Sequence, residues 1–296
     1  MIKSVTITND RNESIKMILS NPDLSEFVVA SIEGLEPEKA DIASTELVTG
    51  DGSTFNNARK QTKQITFNLI FYPNDYNVER VRHKCYNFFP VKKKIEMLFE
   101  TDERYAWIEG YVESNTPSIF SEQEGAQVSV ICMNPYFRSS VENETALYGI
   151  QNQFAFPFSN ESLTDSLVVI GSIRHNQTSA IYNMGDEEVG MELIIKFKSN
   201  CSGLVFGNTV TEEEMILNNL GLVEGDTLHV LTYSGEKDIY SVDSNGNRTS
   251  MVTKINKSTK FPMLLRGYNN VYVNINNIND CVETMYINNR IIYGGI

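Results

Sequence analysis

Residues 64–71 read Gln-Ile-Thr-Phe-Asn-Leu-Ile-Phe, and this stretch indicates which kind of fold the chain adopts. Successive side chains of a β-strand point to opposite faces of a sheet. A strand with one buried face therefore has an apolar residue at every second position. That pattern is present here in Ile65, Phe67, Leu69 and Phe71. The stretch predicts a half-buried β-strand.

Similar β-rich runs lie on both sides of this strand in the first half of the chain. They occupy residues 27–32, 95–99, 107–112 and 128–131. Their length and their content of β-branched and aromatic residues are typical of strands. We therefore predict a mostly antiparallel β-sandwich or barrel for this half of the chain.

One helix is predicted to interrupt these strands at about residues 75–89. Either Asn74 or Asp75 is the predicted N-cap, because each has a side-chain oxygen that can accept hydrogen bonds from the free amides of the first turn. Pro90 ends the helix, since it cannot continue the backbone ladder. The apolar residues that recur at helical spacing are Val78, Val81, Cys85 and Phe88 or Phe89.

Residues 35–62 form a long polar segment between two predicted strands, with weak periodicity and a Gly-Asp-Gly turn at residues 50–52. A segment of this length without structure of its own is uncommon inside a compact domain. It is either a long loop or a hairpin arm that pairs with a neighbouring subunit by adding strands across the boundary.

The stretch Ile-Cys-Met-Asn-Pro-Tyr-Phe-Arg at residues 131–138 is predicted to end the first domain. Pro135 has no N–H to donate to a β ladder, and it restricts Asn134 to extended conformations, so this pair is suited to ending a strand. Cys132 follows an apolar strand. We expect its thiol to lie in the core or at its rim, where it is inert.

The sequence pattern changes after this stretch, so we predict a first domain at residues 1–140 and a second at residues 141–296. The second half is rich in Asn and Ser, and turn-forming pairs stand at Ser234-Gly235 and Asn245-Gly246. Many short strands with regular turns are typical of a β-sandwich of the jelly-roll kind. The predicted strands are residues 153–158, 166–173, 191–197, 227–233, 237–242, 251–255 and 271–275.

The composition limits the partners that suit this chain. Its 296 residues include 38 acidic and 25 basic side chains, which gives a formal net charge of −13. Such a chain is suited to remain soluble and to avoid the nucleic-acid backbone, which attracts basic patches. The amino terminus lacks the apolar segment of a signal peptide, and no apolar run is long enough to span a membrane. We expect synthesis in a cytoplasm and no membrane insertion.

No arrangement of reactive residues points to an active site or a metal centre. His83, His175 and His229 belong to no metal-binding or catalytic pattern, and the cysteines form no C-x-x-C pair. The acidic run at residues 212–214 is typical of a solvated turn. The Gly-Asp-Gly at residues 50–52 lacks the ending of a phosphate-binding loop. We therefore expect no catalytic, cofactor-binding or metal-binding residues and no enzymatic activity.

Glycan binding is the alternative to a purely structural role, because many β-sandwiches stack a sugar ring on an exposed aromatic side chain. The one tryptophan, Trp107, belongs to the first domain. The second domain has tyrosines within strand patterns, which are typical of core or cross-strand partners. They include Tyr233, Tyr240, Tyr268 and Tyr272. The alternative function is a carbohydrate-binding module.

Six stretches, taken in their order along the chain, resemble the distal tail protein (Dit) family of long-tailed bacteriophages. They are residues 50–71, 86–112, 126–137, 180–197, 222–249 and 257–273. The third looks like the family's strand that ends in a Cys/Asn-Pro-Tyr/Phe corner. Two departures occur in turns, Tyr233 after Thr232 and Arg266 before Gly267 in place of Pro-Gly. Neither puts a functional residue in doubt, because members of the family have no catalytic residues.

The resemblance implies a mainly β fold, with a belt-like arm on the first domain and a galectin-like β-sandwich as the second. It implies hexameric rings formed through the first domain, with the arm lying over the adjacent subunit. Such a ring joins the tail-tube protein to the tail-tip protein, and DNA passes through its lumen without specific binding. The second domain is a platform for receptor-binding proteins. The resemblance thus implies a protein of the virion tail, made in the host cytoplasm.

Overall fold

The computed structural model shows two compact units built mainly of antiparallel strands, which confirms the predicted fold class. Unit 1 comprises Met1–Val141 together with Ile292–Ile296, and unit 2 comprises Glu142–Ile291. The residues that the structure describes are 1–19, 25–47, 50–152, 171–175 and 177–296.

Unit 1 contains one large antiparallel sheet in the order β2-β1-β7-β8-β9-β6-β3, and its edge strands β2 and β3 approach each other, so that the sheet nearly closes into a barrel. The strands of unit 1, numbered along the whole chain, are β1 (Ile2–Asn9), β2 (Ser14–Ile18), β3 (Phe27–Glu33), β4 (Ala40–Glu46), β5 (Ser53–Lys60), β6 (Lys63–Phe71), β7 (Lys94–Thr101), β8 (Tyr105–Ser118), β9 (Gly125–Cys132), β10 (Phe137–Ser139) and β23 (Ile292–Tyr293).

The stretch at residues 64–71 lies within the inner strand β6, and its alternation is confirmed. Ile65, Phe67 and Leu69 are buried, and the Phe67 ring stacks on Phe99 of β7 with 6.4 Å between ring centroids. Full burial of one such side chain stabilises the fold by about 1.5–3 kcal/mol. The apolar face of β6 therefore lies at the centre of the core of unit 1.

The predicted helix is α1 (Val78–Phe88), and it is shorter at its amino end than the sequence indicates. Its N-cap is Asn77, whose side-chain oxygen accepts from the Arg80 N–H at 3.0 Å. The prediction of Asn74 or Asp75 as N-cap is wrong, because Asp75 instead accepts from the Asn77 N–H in the turn before the helix. Like Asp75, Asn77 is a short polar residue that suits this position.

Glu26, the residue before strand β3, connects helix α1 to the sheet of unit 1. Its side chain is 10% exposed. Its carboxylate receives hydrogen bonds from Arg80 and, at 2.8 Å, from Lys84. These two cations, Arg80 foremost, hold the pKa of Glu26 below its ordinary value. The carboxylate therefore stays ionised at neutral pH and keeps both contacts.

The last residues of the chain belong to unit 1, although the sequence pattern assigned them to the second domain. Strand β23 pairs with β10, in the register Phe137 to Tyr293 and Arg138 to Ile292. The assignment of residues 292–296 to the second domain is therefore not followed in the structure. The reason is a backbone pairing between positions more than 150 residues apart, which local pattern does not encode.

Unit 2 has a sheet in the order β11-β22-β15-β18-β19-β20, a sheet in the order β14-β21-β16-β17, and the separate pair β12-β13. Its strands are β11 (Asn143–Ala146), β12 (Tyr148–Asn152), β13 (Gly171–His175), β14 (Thr178–Asn183), β15 (Met191–Phe197), β16 (Cys201–Asn208), β17 (Glu213–Leu222), β18 (Thr227–Leu231), β19 (Asp238–Val242), β20 (Arg248–Ser250), β21 (Gly267–Asn274) and β22 (Val282–Asn289).

The two larger sheets of unit 2 each have a buried face, as in a β-sandwich. The tight turns predicted at residues 234–235 and 245–246 lie between β18, β19 and β20. The predicted strand at residues 251–255 is wrong, because Val252–Lys254 forms a 3₁₀ helix between Met251 and Ile255. The predicted strand at residues 153–158 lies outside the described residues, as does most of the one at 166–173. A short helix, α2 (Ile278–Cys281), precedes β22.

A buried hydroxyl joins two strands in the core of unit 2. Thr232 is 0% exposed, and its Oγ1 accepts from the Met191 N–H at 2.8 Å and donates to the Met191 carbonyl at 3.1 Å. A buried backbone N–H without a partner is costly, so this hydroxyl holds the start of β15 in place.

Replacing Thr232 with Val keeps the shape of the side chain but leaves the Met191 N–H without its partner. We expect the free energy of unfolding to fall by about 1–3 kcal/mol. Urea unfolding followed by circular dichroism measures the change, and Trp107 fluorescence monitors unit 1 in the same samples. The control is Thr249→Val on the exposed strand β20, which we expect to change stability by less than about 0.5 kcal/mol. Equal stabilities of the two variants would contradict the role assigned to Thr232.

Candidate assembly interface

Strands β4 and β5 form a two-stranded hairpin that covers most of the predicted arm at residues 35–62. All of β4, and β5 up to its last residue, is exposed. Among the described residues these two strands pair only with each other. The segment is thus a hairpin and not a long loop. An isolated hairpin is marginally stable in water, so its form implies a partner surface.

The two faces of the hairpin differ in chemistry. Paired residues share a face, and Ile42 pairs with Ala58 while the next position along that face pairs Ser44 with Phe55. Ile42 is 66% exposed and Phe55 is 64% exposed. Leu47, near the tip of the hairpin, is also exposed. We call Ile42, Phe55 and Ala58 the apolar arm face.

The opposite face of the hairpin is polar. Asp41 pairs with Arg59 at 3.6 Å, and its carboxylate also accepts from Gln61 at 2.7 Å. Thr45 accepts from Asn56, the residue added by the bulge in β5, at 2.7 Å. The apolar arm face lies between Lys60 and Glu46 on one side of the hairpin. A hairpin that exposes large apolar side chains on one side is suited to lie on another surface with that side down.

The base of the arm is held by Lys63, the first residue of β6, whose side chain is 0% exposed. Its Nζ donates to the Glu36 carbonyl at 2.6 Å and to the Gly34 carbonyl at 3.4 Å, and it lies 3.4 Å from a carboxylate oxygen of Glu38. The ammonium also lies 5.3 Å from the centre of the Phe137 ring, within cation–π distance. Lys63 therefore fixes the direction in which the chain leaves β3 toward the arm.

Gly34 makes this close approach possible. Its φ is +84°, and a Cβ at this position would lie 1.9 Å from the Gln64 carbonyl oxygen. Any other residue would be strained there and would also collide with backbone. The arm base can therefore lie directly against the start of β6.

The final residues of the chain support the same base. The Ile296 N–H donates to the Leu35 carbonyl at 3.1 Å, and Arg104 donates to the Gly295 carbonyl at 3.1 Å. The Arg104 guanidinium also lies 4.1 Å from the centre of the Tyr293 ring. Leu35 is thus tied to the chain terminus by a backbone hydrogen bond.

The histidines that the sequence left without a role are not brought together among the described side chains. His229 stacks on Tyr240 with 4.7 Å between ring centroids, and its Nδ1 lies 2.9 Å from Glu192. His83 is exposed on helix α1 near Glu79. The side chain of His175 lies outside the described ones. Within the described part of the chain, no group of histidine, cysteine or acidic residues is arranged to hold a metal ion.

The cysteine of the domain-ending stretch is buried, as predicted. Cys132 is 0% exposed at the end of β9, and burial raises the pKa of its thiol to about 12. Burial likewise raises the pKa of Cys85 to about 11. Both thiols are therefore protonated at neutral pH, and a protonated thiol is a poor nucleophile. The nearby Asn134 accepts from the Tyr136 N–H at 3.1 Å and closes the turn that follows the strand.

Three buried asparagines of unit 2 are structural, and two of them, Asn183 and Asn269, lie in the motif stretches. Asn183 donates to the Glu187 carbonyl at 2.9 Å. Asn208 donates to the Met263 carbonyl at 2.7 Å and to Asn269 at 3.0 Å. The three asparagines are at most 2% exposed. These amides hold loops in place, which accounts for asparagine at positions 183 and 269 of the motif stretches.

No helix among the described residues is both long and apolar enough to cross a membrane.

The comparisons with known proteins show a likeness of fold. No family model matches the sequence, and no curated protein matches it either. Among solved structures, the Dit protein of phage SPP1, described as a paradigm of the hub adsorption apparatus in phages that infect Gram-positive bacteria, aligns with a TM-score of 0.65. The alignment has 10% sequence identity and covers 97% of this chain and 98% of that one. A chain of the phage P2 baseplate in its activated conformation with Ca aligns with a TM-score of 0.49 and 10% identity, over 100% of both chains.

The chain therefore has the fold of a phage tail hub component. More particularly, it has the fold of the distal tail protein, over almost its whole length. The fold implied by the six motif stretches is confirmed. At this identity the likeness concerns the fold alone.

Replacing Lys63 with Met removes the buried ammonium and leaves two carbonyls and one carboxylate at the arm base without their donor. We expect the free energy of unfolding of unit 1 to fall by about 2–3 kcal/mol, because hydrogen bonds to charged groups are strong and their partners are left unpaired. Urea unfolding followed by Trp107 fluorescence measures the change.

The matched control is Lys93→Met, since Lys93 is exposed and its contact with Asp10 at 3.3 Å is solvated. We expect this variant to change stability by less than about 0.5 kcal/mol. A Lys63→Met protein as stable as the control would contradict the anchoring role of Lys63.

Proposed function

We propose that this protein is a structural component of a phage tail that forms a hexameric ring through unit 1. The ring links the tail tube to the tail-tip apparatus and lets DNA pass through its lumen. The observation that carries the proposal is the exposed hairpin with its apolar arm face, on a chain with the distal tail protein fold. The protein works by assembly and not by catalysis.

The arm supplies the contact between subunits. Ile42 and Phe55 lie on one face of a hairpin that has no other strand partner among the described residues. When the apolar arm face lies on the adjacent subunit, each subunit contributes its arm to one neighbour. The arm of the other neighbour contacts a different surface of the same subunit. Such a heterologous contact closes into a ring when the rotation between neighbours is a whole fraction of a turn.

The anchored base makes the arm suitable for this task. Lys63 and the bond from Ile296 to Leu35 hold the start of the arm on unit 1. A preorganised arm loses less conformational entropy when it docks, so more of its contact energy appears as affinity. Deleting the hairpin would therefore remove the ring without removing the core of unit 1.

The charge of the chain is compatible with the passage of DNA. A formal net charge of −13 disfavours adsorption of a polyanion, so DNA can slide through a lumen made of such subunits. The partners in this function are other copies of the chain, a tail-tube protein, a tail-tip protein and receptor-binding proteins. The protein is made in the host cytoplasm and ends in the virion.

A double variant, Ile42→Ser with Phe55→Ser, tests the ring. We expect the wild-type protein to form hexameric rings in light scattering and negative-stain images. We expect the variant to remain monomeric at concentrations about 30-fold higher than those at which the wild type assembles, because two anchoring side chains contribute about 2 kcal/mol to an interface.

The control is Ala43→Ser with Thr45→Ser, two small changes on the opposite, polar face of the same hairpin. We expect this control variant to form rings of normal size. A wild-type protein that stays monomeric at high concentration, with no ring in tails, would overturn the proposed function. Rings formed equally by the arm-face variant would show that the arm is not the contact.

A second candidate function, adsorption to host cell-wall polysaccharide, is favoured by the outer surface of unit 2. Tyr268 is 78% exposed there, and its ring centroid lies 4.7 Å from that of Tyr182, which is also exposed. Exposed aromatic rings on a sheet are the groups that stack on sugars.

A further inference from the structure

The outward face of the sheet β14-β21-β16-β17 contains an aromatic ring in an unusual position. Tyr272 on β21 pairs with Gly207 on β16, which in turn pairs with Glu214 on β17. The Tyr272 hydroxyl donates to the Glu214 carboxylate at 2.6 Å. The side chain therefore crosses the neighbouring strand and lies along the sheet surface.

Gly207 is the residue that permits this arrangement. A Cβ at this position would lie 2.5 Å from both Cζ and the hydroxyl oxygen of Tyr272, so only glycine leaves space for the ring. One side of the ring rests on backbone, and the other side is turned toward solvent. Burial, followed by the hydrogen bond to Glu214, raises the pKa of Tyr272 to about 12, so the phenol stays neutral.

A groove of about 740 Å³ lies further along β21, and Tyr272 is not among the residues that line it. Asn274 is the next outward residue after Tyr272 on β21, and it pairs with Val205 in the groove wall. At Gly203 the groove floor has no side chain, since a Cβ there would lie 2.7 Å from the Leu217 carbonyl oxygen. Tyr272 and the groove residue Asn274 are therefore successive outward residues of one strand, which places the ring next to the groove on the same sheet face.

The described lining of the groove consists of five side-chain amides together with Ser202, Gly203 and four apolar residues, and none of these is charged. The amides are exposed and make no side-chain hydrogen bond to other described residues, so their donors and acceptors are available to a ligand. They belong to Gln177, Asn218, Asn219, Asn274 and Asn276.

This combination of groups selects one class of ligand. A side-chain amide offers a donor and an acceptor together, which matches the neighbouring hydroxyls of a sugar. The exposed side of an aromatic ring suits the C–H face of a pyranose. Polyanions are disfavoured, because no described residue of the groove lining is a cation that could pair with phosphate or carboxylate, and Glu214 stands beside the ring.

We propose that the groove between Gly203 and Asn276, together with the Tyr272 ring, binds a neutral hexopyranose glycan. The amides of Asn218 and Asn274 hydrogen-bond to ring hydroxyls, and Tyr272 stacks on the adjacent sugar. The site lies entirely within unit 2, so it does not depend on the proposed ring. It adds a glycan site on the same outward sheet face as the exposed pair Tyr182 and Tyr268.

The test uses the full chain on an array of neutral gluco-, galacto- and rhamno-oligosaccharides, with polygalacturonate as the charged comparison. Isothermal titration with the best neutral probe then measures affinity. We expect Asn218→Ala with Asn274→Ala to weaken binding about tenfold or more, because two polar contacts are lost. Tyr272→Ala removes the stacking ring and is also expected to weaken binding.

Asn270→Ala is the matched control, because Asn270 is also an outward amide of β21 but lies on the other side of Tyr272 from the groove. We expect this variant to bind normally. Circular dichroism and ring formation, measured on every variant, separate a folding defect or an assembly defect from loss of the glycan site.

Three outcomes would overturn the inference. The first is a wild-type protein that binds none of the neutral probes at millimolar concentration. The second is binding that survives in the Asn218→Ala, Asn274→Ala protein, or that is lost equally in Asn270→Ala. The third is a wild-type protein that binds no sugar but binds another tail protein, where this binding is lost in the Asn218→Ala, Asn274→Ala protein.

Discussion

The buried ammonium of Lys63 is the interaction on which the architecture of unit 1 depends. A fully buried lysine is tolerated only when its charge is neutralised and its N–H groups are satisfied. Here the carbonyls of Gly34 and Glu36 and the carboxylate of Glu38 fulfil both conditions. The same contacts connect the inner strand β6 to the segment that leads into the arm. The arm base is therefore held directly against the sheet. An arm that starts from a fixed point can be directed at a neighbour.

Unit 2 uses buried amides for the same purpose. Asn183, Asn208 and Asn269 each satisfy backbone groups of loops that cross the ends of the sandwich. Because an unpaired buried polar group is costly, these residues define one loop conformation out of many. The motifs that identify the fold are therefore structural, while the surfaces available for function are the exposed arm face and the outward face of the sheet that carries Tyr272 and Gly207.

Parts of this structure were predictable because they follow from local periodicity. Strand β6 and helix α1 each bury residues at the spacing that the sequence displays. Strands β16 and β17 were not predicted, because glycine and asparagine interrupt the alternation of apolar and polar residues in them. Contacts with neighbouring strands require those residues. Gly207, for example, is required by a ring from β21. The role of Lys63 was missed in the same way, because a single lysine before a strand is usually solvated.

The sequence by itself determined that the chain is mainly β, where its helix lies, that it divides near Pro135, and that the long segment after β3 needed an explanation. These features depend on residues close together in the chain, whose spacing reflects the geometry of a strand or a helix. Only the tertiary structure decided that the segment is a hairpin with one apolar face, that the last residues return to β10, and that Lys63 is buried. The hairpin is local, but its register contains a bulge that the weak periodicity of the segment does not indicate. The other two features depend on partners more distant in sequence, and pairing between distant strands is set by the packing of the whole sheet.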